Sequence, residues 1–356
     1  GRNGDNSSKN SSGIRASAIL APSKVQVDLE GRCANAVPNQ VLSGPISSTV
    51  RDFIMLLLGL LTLLLIADSA PLRPGDHTRA VQVDGQQRHY LVHVPAKYAP
   101  ETPMPVVLAF HGGGANADNM VFFSGLSEKA DEAGFIVVYP NGTGRLKRML
   151  TFNAGNCCGH AAASNVDDVA FTRCVLDDLE SVANVDRRRV YATGMSNGAM
   201  MAYRLAAELS DRIAAIAPVA GPMGTSECHP ARPVSVMHFH GDADEFAPFK
   251  GGKGRGPSGT DFHSVQHSID TWVAVNGCRA TPTTTRLPDR EDDGTAVRRV
   301  CYDSGKGGAE VVLVVIEGGG HTWPGREPRM QSLGVFTRDI SANDMMWEFF
   351  KQHPMK

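Results

Sequence analysis

The residues with chemistry to offer begin with Gly194-Met195-Ser196-Asn197-Gly198, which reads G-x-S-x-G. In that pattern a strand turns sharply into a helix and presents the serine hydroxyl, and glycine flanks it because a side chain would collide with the neighbouring strand and helix. As a bare string it arises by chance in roughly one chain of this length in ten. Its context makes Ser196 a candidate nucleophile: apolar residues 190–193 precede it and an alanine- and methionine-rich stretch follows.

A serine hydroxyl is a poor nucleophile until a base takes its proton. The best-placed base is His321, in Gly318-Gly319-Gly320-His321-Thr322-Trp323-Pro324-Gly325, because it follows the apolar run VVLVVI in a glycine-rich loop; His240, His263 and His267 are its rivals. An acid must then fix the histidine tautomer and stabilise the imidazolium. Residues 234–239 lead into His240-Gly241-Asp242-Ala243-Asp244, two carboxylates beyond one apolar run, and Asp244 is preferred to Asp242. The chain order Ser196, Asp244, His321 is that of α/β-hydrolases. An oxyanion needs backbone N–H donors, and His111-Gly112-Gly113-Gly114 offers an HGGG-type loop after an early apolar run. Gly113 N–H and Asn197 N–H are the expected donors, although the tetrad alone also fits a plain glycine turn.

Two other clusters carry less. His238-Phe239-His240-Gly241-Asp242-Ala243-Asp244 resembles the H-x-H-x-D-H of binuclear zinc hydrolases, but Asp244 stands where the closing histidine belongs, so no metal is expected. Residues 251–256 (GGKGRG) fit neither G-x-x-x-x-G-K-[ST] nor a strand-to-helix phosphate loop and read as a surface loop.

These positions need a sheet to hold them. From residue 80 onward strand-like and helix-like segments alternate, the pattern of a sheet wrapped by helices. Residues 88–94 alternate polar and apolar as an antiparallel edge strand does. Residues 106–110, 135–139, 190–193, 213–219 and 234–239 are apolar runs suited to strands buried on both faces. Helices are expected over 117–133, from a cap at Asn165 or Asp167 to about 183, over 198–209, over 264–276 and from Ser341, with strands at 296–302 and 309–316. No amphipathic insertion between 140 and 190 supplies a lid. The expectation is an α/β fold: a central, mostly parallel sheet flanked by helices, as one catalytic domain over residues 70–356.

The formal net charge of the 356 residues is −2 and the charges are interspersed, which excludes a long-range field for gathering nucleic acid. Residues 53–66 (FIMLLLGLLTLLLI) are uncharged and apolar, shorter than the ~20 needed to span a bilayer, and followed by small residues. They read as the core of a secretory signal over residues 51–69, with no stable membrane insertion after cleavage, and translation is expected to start near Val50 or Met55. Residues 1–50, rich in Ser, Asn and Gly, read as disordered or upstream sequence. Six of the seven cysteines follow the signal, so disulfides are expected. Cys157 and Cys158 are adjacent, which does not favour a bond between them.

Taken together, HGGGANADN, GFIVVYPNG, FNAGNCCG, NVDDVAF, RRRVYATGMSNGAMMAYRLA, APVAGP, HGDADEFAPF and GGGHTWPG resemble the secreted polyhydroxybutyrate depolymerase-like and feruloyl esterase family over about residues 80–326. The resemblance implies a lidless α/β-hydrolase without a cofactor, acting on carboxylic esters of small-molecule, plant cell-wall or polyester type. By it Ser196, Asp244 and His321 form the triad and Gly113 and Asn197 the oxyanion hole. His111, Gly112, Phe152, Phe246 and Trp323 are then expected around the substrate, Phe152 standing where the family usually has Trp and Glu245-Phe246 where a Pro and an aliphatic residue are common. The resemblance also implies a Cys278–Cys301 disulfide. Cys228 is expected to pair with Cys157 or Cys158, and Cys174, on a helix, to stay a thiol. Within these residues no polymer-binding module is seen, which favours hydroxycinnamoyl esters over polyhydroxybutyrate. A non-catalytic binding protein on the same fold and an acyltransferase are the competing readings.

Overall fold

The computed structural model describes residues 70–146 and 148–356, all within one compact unit. The expectations for residues 1–50 and 51–69, the export signal included, lie outside the described residues. The sheet starts earlier than residue 80. β1 (Gly75–Val83) and β2 (Gln86–Val94) form a hairpin about Asp84-Gly85, whose φ angles are 50° and 75°. Two left-handed residues are what a type I′ turn requires, and Asp-Gly supplies them. β2 is therefore one strand in from the edge, not the edge strand its alternation suggested.

The chain continues through β3 (Met104–Phe110), α1 (Ala117–Ser124), α2 (Leu126–Ala133), β4 (Ile136–Pro140), the small hairpin β5 (Thr143–Leu146) and β6 (Met149–Thr151), α3 (Gly159–Ala163) and α4 (Asp168–Val182). Then come β7 (Val185–Met195), α5 (Asn197–Glu208), β8 (Ala215–Val219), β9 (Ser235–Gly241), the short pair β10 (Gly252–Lys253) and β11 (Asp261–Phe262), and α6 (Val265–Asn276). β12 (Thr283–Arg286), β13 (Ala296–Tyr302), β14 (Val311–Glu317) and α7 (Ala342–Gln352) close it. The large sheet runs β1-β2-β4-β3-β7-β8-β9-β14-β13-β12. From β4 to β14 neighbours are parallel, and both ends are antiparallel. This mostly parallel sheet with flanking helices is the α/β-hydrolase architecture.

The continuous apolar runs make sense once both faces are seen. Alternate residues of each central strand enter different cores: Val106, Leu108 and Phe110 join one, with Leu176 of α4, Met200 of α5 and Trp272 of α6, while Val107 and Ala109 join the other, with Met120 of α1, Ala130 of α2 and Phe350 of α7. A strand covered on both sides cannot afford the polar alternation of a half-exposed one. The expected helix at 117–133 is two, because Gly125 (φ 61°) adopts the left-handed cap and its N–H bonds to Val121 O. Among the described residues between β4 and α4 the chain forms the β5–β6 hairpin and the five-residue α3.

The cysteines correct the sequence reading. The Cys157 and Cys158 sulfurs are in bonding contact across a cis peptide bond, which brings their Cα atoms to 3.1 Å. Cys174 is disulfide-bonded and not a thiol. Cys228 is a buried thiol, pushed up to about 11 by burial, not a partner of Cys157 or Cys158. Cys278 and Cys301 are both unbonded thiols: the Cys278 sulfur points at the Ala309 carbonyl, 3.7 Å away, while Cys301 lies in β13 between Thr283 and Val312.

Candidate active site

β7 is the strand that delivers Ser196. Its C-terminal half is buried, and the chain leaves it through a residue at φ 57°, ψ −118° before entering α5. A non-glycine side chain there carries backbone strain of about 1–3 kcal/mol. The turn is held by Ser196 N–H donating to Val219 O and Ser196 O accepting from Met200 N–H. The flanking glycines are forced by packing: a β-carbon on Gly194 would lie 2.5 Å from Gly198 backbone, and one on Gly198 would run into the Phe110 carbonyl.

β3 lies beside β7, so the glycine loop that follows it lies against this turn. The β-carbon position of Gly112 is 3.6 Å from Ser196 Cβ, and that of Gly113 is 3.6 Å from Asn197 Cβ. Asn197 opens α5, where N–H groups have no intrahelical acceptor. Its side chain is committed elsewhere, accepting from Phe152 N–H (2.8 Å) and donating to Phe152 O (3.0 Å).

β9 and β14 are adjacent and parallel, which brings the loops after them together. His321 Nδ1 donates to Asp244 Oδ2 at 2.7 Å, leaving Nε2 as the nitrogen able to act as a base. Asp244 Oδ1 accepts from Phe246 N–H and Ala247 N–H. Burial alone would push this carboxyl up, but the His321 charge and the hydrogen bonds from His240 and His321 outweigh burial and hold it well below the usual carboxylate range. Asp242 is exposed and accepts from Gly318 N–H at 2.7 Å, so it braces the His321 loop. Of the rival histidines, His263 and His267 pair with each other.

Three residues expected at the substrate belong to the scaffold. His111 is fully buried: Nε2 accepts from Gly142 N–H (3.0 Å) and Nδ1 donates to Gly112 O (2.8 Å). Phe152 is fully buried between Phe110 and His111, so its ring belongs to the core. Trp323 is also fully buried, its indole N–H donating to Asn343 Oδ1. Tryptophan needs a partner for that N–H when buried, and Asn343 gave no sequence signal for it. Phe246 alone of the expected rings is half-exposed, stacked 5.3 Å from the His321 ring. Also missed was the buried Asp168, whose carboxylate pairs with Arg88 (2.7 Å) and accepts from Asn153 N–H (2.7 Å), fastening the Phe152 loop. As the residue after a plausible helix cap, it gave no sequence signal for this role.

The His111 strut makes stability pH-dependent. Burial first, and the Arg88 charge second, lower its pKa from 6.5 to about 4. Between those values the unfolded chain binds the proton and the folded protein does not, so stability is whole above about pH 6.5 and falls as the pH drops toward 4, by up to about 3 kcal/mol. Urea titrations of wild type and His111→Gln at about pH 7 and pH 4.5 check this. The wild type should lose stability more steeply, and equal losses would remove His111 as a cause.

Comparison with known proteins follows the same outline. The esterase PHB depolymerase family matches residues 88–250. The putative esterase NocK of Nocardia uniformis subsp. tsuyamanensis is 33% identical over 286 residues, covering 76% of this chain and 81% of that protein. Feruloyl esterase B of Piromyces equi is 30% identical over 66% of this chain, which spans 42% of that longer relative. The probable feruloyl esterase C of Aspergillus niger is 28% identical, over 76% of this chain and 85% of that protein. An acetyl xylan esterase from Aspergillus awamori shares the fold, with a TM-score of 0.50 at 17% identity, over 77% of this chain and 99% of its own. The chain belongs to the esterase PHB depolymerase family and is a carboxylic ester hydrolase on the α/β-hydrolase fold.

Proposed function

We propose that this esterase works through an acyl-enzyme on Ser196. His321 Nε2 takes the hydroxyl proton as Ser196 Oγ attacks the ester carbonyl, and returns it to the departing alcohol; water then repeats the sequence to release the acid. Asp244 orients His321 and stabilises its imidazolium form, and the N–H groups of Gly113 and Asn197 receive the oxyanion. The observation that carries this reading is a strained serine turn lying against an open glycine loop, in a sheet whose neighbouring loops pair His321 with Asp244 at 2.7 Å.

For substrate, the reading is hydroxycinnamoyl (feruloyl-type) or short hydroxyacyl esters. Support comes from feruloyl esterases among the relatives and from the half-exposed Phe246 ring beside His321, a flat apolar face next to polar backbone. Export is the accompanying proposal, on the apolar run at residues 53–66.

The test is a panel of methyl hydroxycinnamates, p-nitrophenyl esters of rising chain length and polyester films. kcat/KM should fall once the acyl chain exceeds about four to six carbons, because each methylene, worth about 0.8 kcal/mol if buried, meets no lid wall. A rise through about twelve carbons would overturn the short-acyl reading. Faster release of hydroxybutyrate from film than of ferulate from methyl ferulate would move the substrate to polyester. Transfer to an added sugar in preference to water would make the enzyme an acyltransferase.

A further inference from the structure

The H-x-H segment of β9, which looked like half of a metal site, forms a chain of buried hydrogen bonds that ends on the Ala247 carbonyl, beside the proposed catalytic acid. Tyr203 Oη lies 2.9 Å from His238 Nδ1, His238 Nε2 lies 2.9 Å from His240 Nδ1, and His240 Nε2 lies 2.7 Å from Ala247 O and 3.3 Å from Asp244 Oδ2. All three side chains are buried. The direction of every bond follows from its ends. A carbonyl oxygen can only accept, so His240 Nε2 carries a proton. Tyr203 keeps its proton because burial opposes the phenolate, and with its hydroxyl turned toward His238 it is placed to donate to Nδ1. Burial, with His240 alongside, also keeps His238 neutral, so its one remaining proton sits on Nε2 and is donated to His240 Nδ1. Each ring nitrogen thus has one assigned role.

The carboxylate beside the end of this chain is gripped on both oxygens. Oδ1 takes two backbone N–H groups, Oδ2 takes His321 Nδ1–H, and His240 Nε2, whose proton goes to Ala247 O, lies 3.3 Å from Oδ2. We propose that His240 is a positioning residue for Asp244: it fixes the rotation that aims Oδ2 at His321 and draws off part of the charge that would otherwise raise the basicity of His321. This rests on the Ser196–His321–Asp244 reading above. The other groups facing His240 are His238, the Ala247 carbonyl and the edge-on ring of Phe249, while Trp272 and Cys228 surround Tyr203 at the far end.

The experiment compares kcat and KM against pH for the full chain with His240→Gln, His240→Asn and His240→Leu, on p-nitrophenyl acetate, with folding followed by circular dichroism. Gln carries an amide N–H at the reach of Nε2, so His240→Gln should keep kcat within about threefold. In Asn the amide stops at the reach of Nδ1 and in Leu the donor is gone, so each should lose about 10- to 100-fold in kcat with KM within about twofold. In both, the acidic limb of kcat/KM should move up by about half a unit or more, because Asp244 then pulls harder on the His321 proton. A structural defect would lower activity at every pH and leave the limb in place. Folded Asn and Leu variants with kcat within about threefold of wild type, or with an unmoved limb, would overturn the proposal. If His240→Leu does not fold, equal activity of the Gln and Asn variants would overturn it too. Ser196→Ala run alongside separates the failures: activity retained there sinks the triad reading itself, whereas an inactive Ser196→Ala beside unaffected His240 variants sinks only this inference.

Discussion

Ser196→Ala and His321→Ala are each expected to lower kcat by about 10⁴ or more, and the double substitution to lower it little further, because the members of a nucleophile–base pair act as a unit. KM should change only a few-fold, since neither side chain is assigned to binding. The fold should survive Ser196→Ala. Alanine removes only the Oγ atom, and the bonds that hold the turn, from the backbone of residue 196 to Val219 and Met200, are made by groups every residue has. The thermal midpoint should therefore match that of wild type. Burst kinetics with a p-nitrophenyl ester give the measurement. Activity within about tenfold of wild type in either single variant would refute the assignment.

The second large effect separates two aspartates two residues apart. Asp244→Asn should cost about 10⁴ in kcat. The Asn carbonyl would still accept from Phe246 and Ala247 N–H, which turns its NH2 group toward His321 Nδ1. A donor facing Nδ1 forces the opposite tautomer, with the proton on Nε2, and that nitrogen can then take nothing from Ser196. Asp242→Asn should stay within about threefold, because the exposed side chain only accepts from Gly318 N–H, a role the Asn oxygen can fill. Steady-state kinetics of the two variants are the check, and the reverse ranking would move the acid to Asp242.

Most of the fold could be read before the structure. Continuous apolar runs at residues 106–110, 135–139 and 234–239 mark strands covered on both faces, and glycine and serine or aspartate caps mark the helix ends, because both are signals within a few residues. The misreadings arose where local pattern was ambiguous. Asp84-Gly85 passed without notice although it turns a hairpin, and Gly125 sat inside a helical pattern that it divides. β7 begins at Val185, well ahead of its apolar half, because exposed Arg187 and Arg188 mask its start.

What the sequence by itself determined is the order and kind of the chemical groups: a serine between glycines, a carboxylate beyond one apolar run, and a histidine beyond another. Those follow from short-range steric rules and from chain order. What only the tertiary structure decided is which atoms meet. Asp242 and Asp244 leave the same strand, and the approach of the β14 loop sends one to Gly318 and the other to His321. Phe152 and Trp323 looked like pocket walls and are core, because their surroundings come from segments far along the chain, Phe110 and His111 for one and Asn343 for the other. The proton positions on His238 and His240 depend in the same way on Tyr203 and on the Ala247 carbonyl. Spacing along a chain sets which face of a strand a side chain takes, but its partner is set by which strands lie side by side.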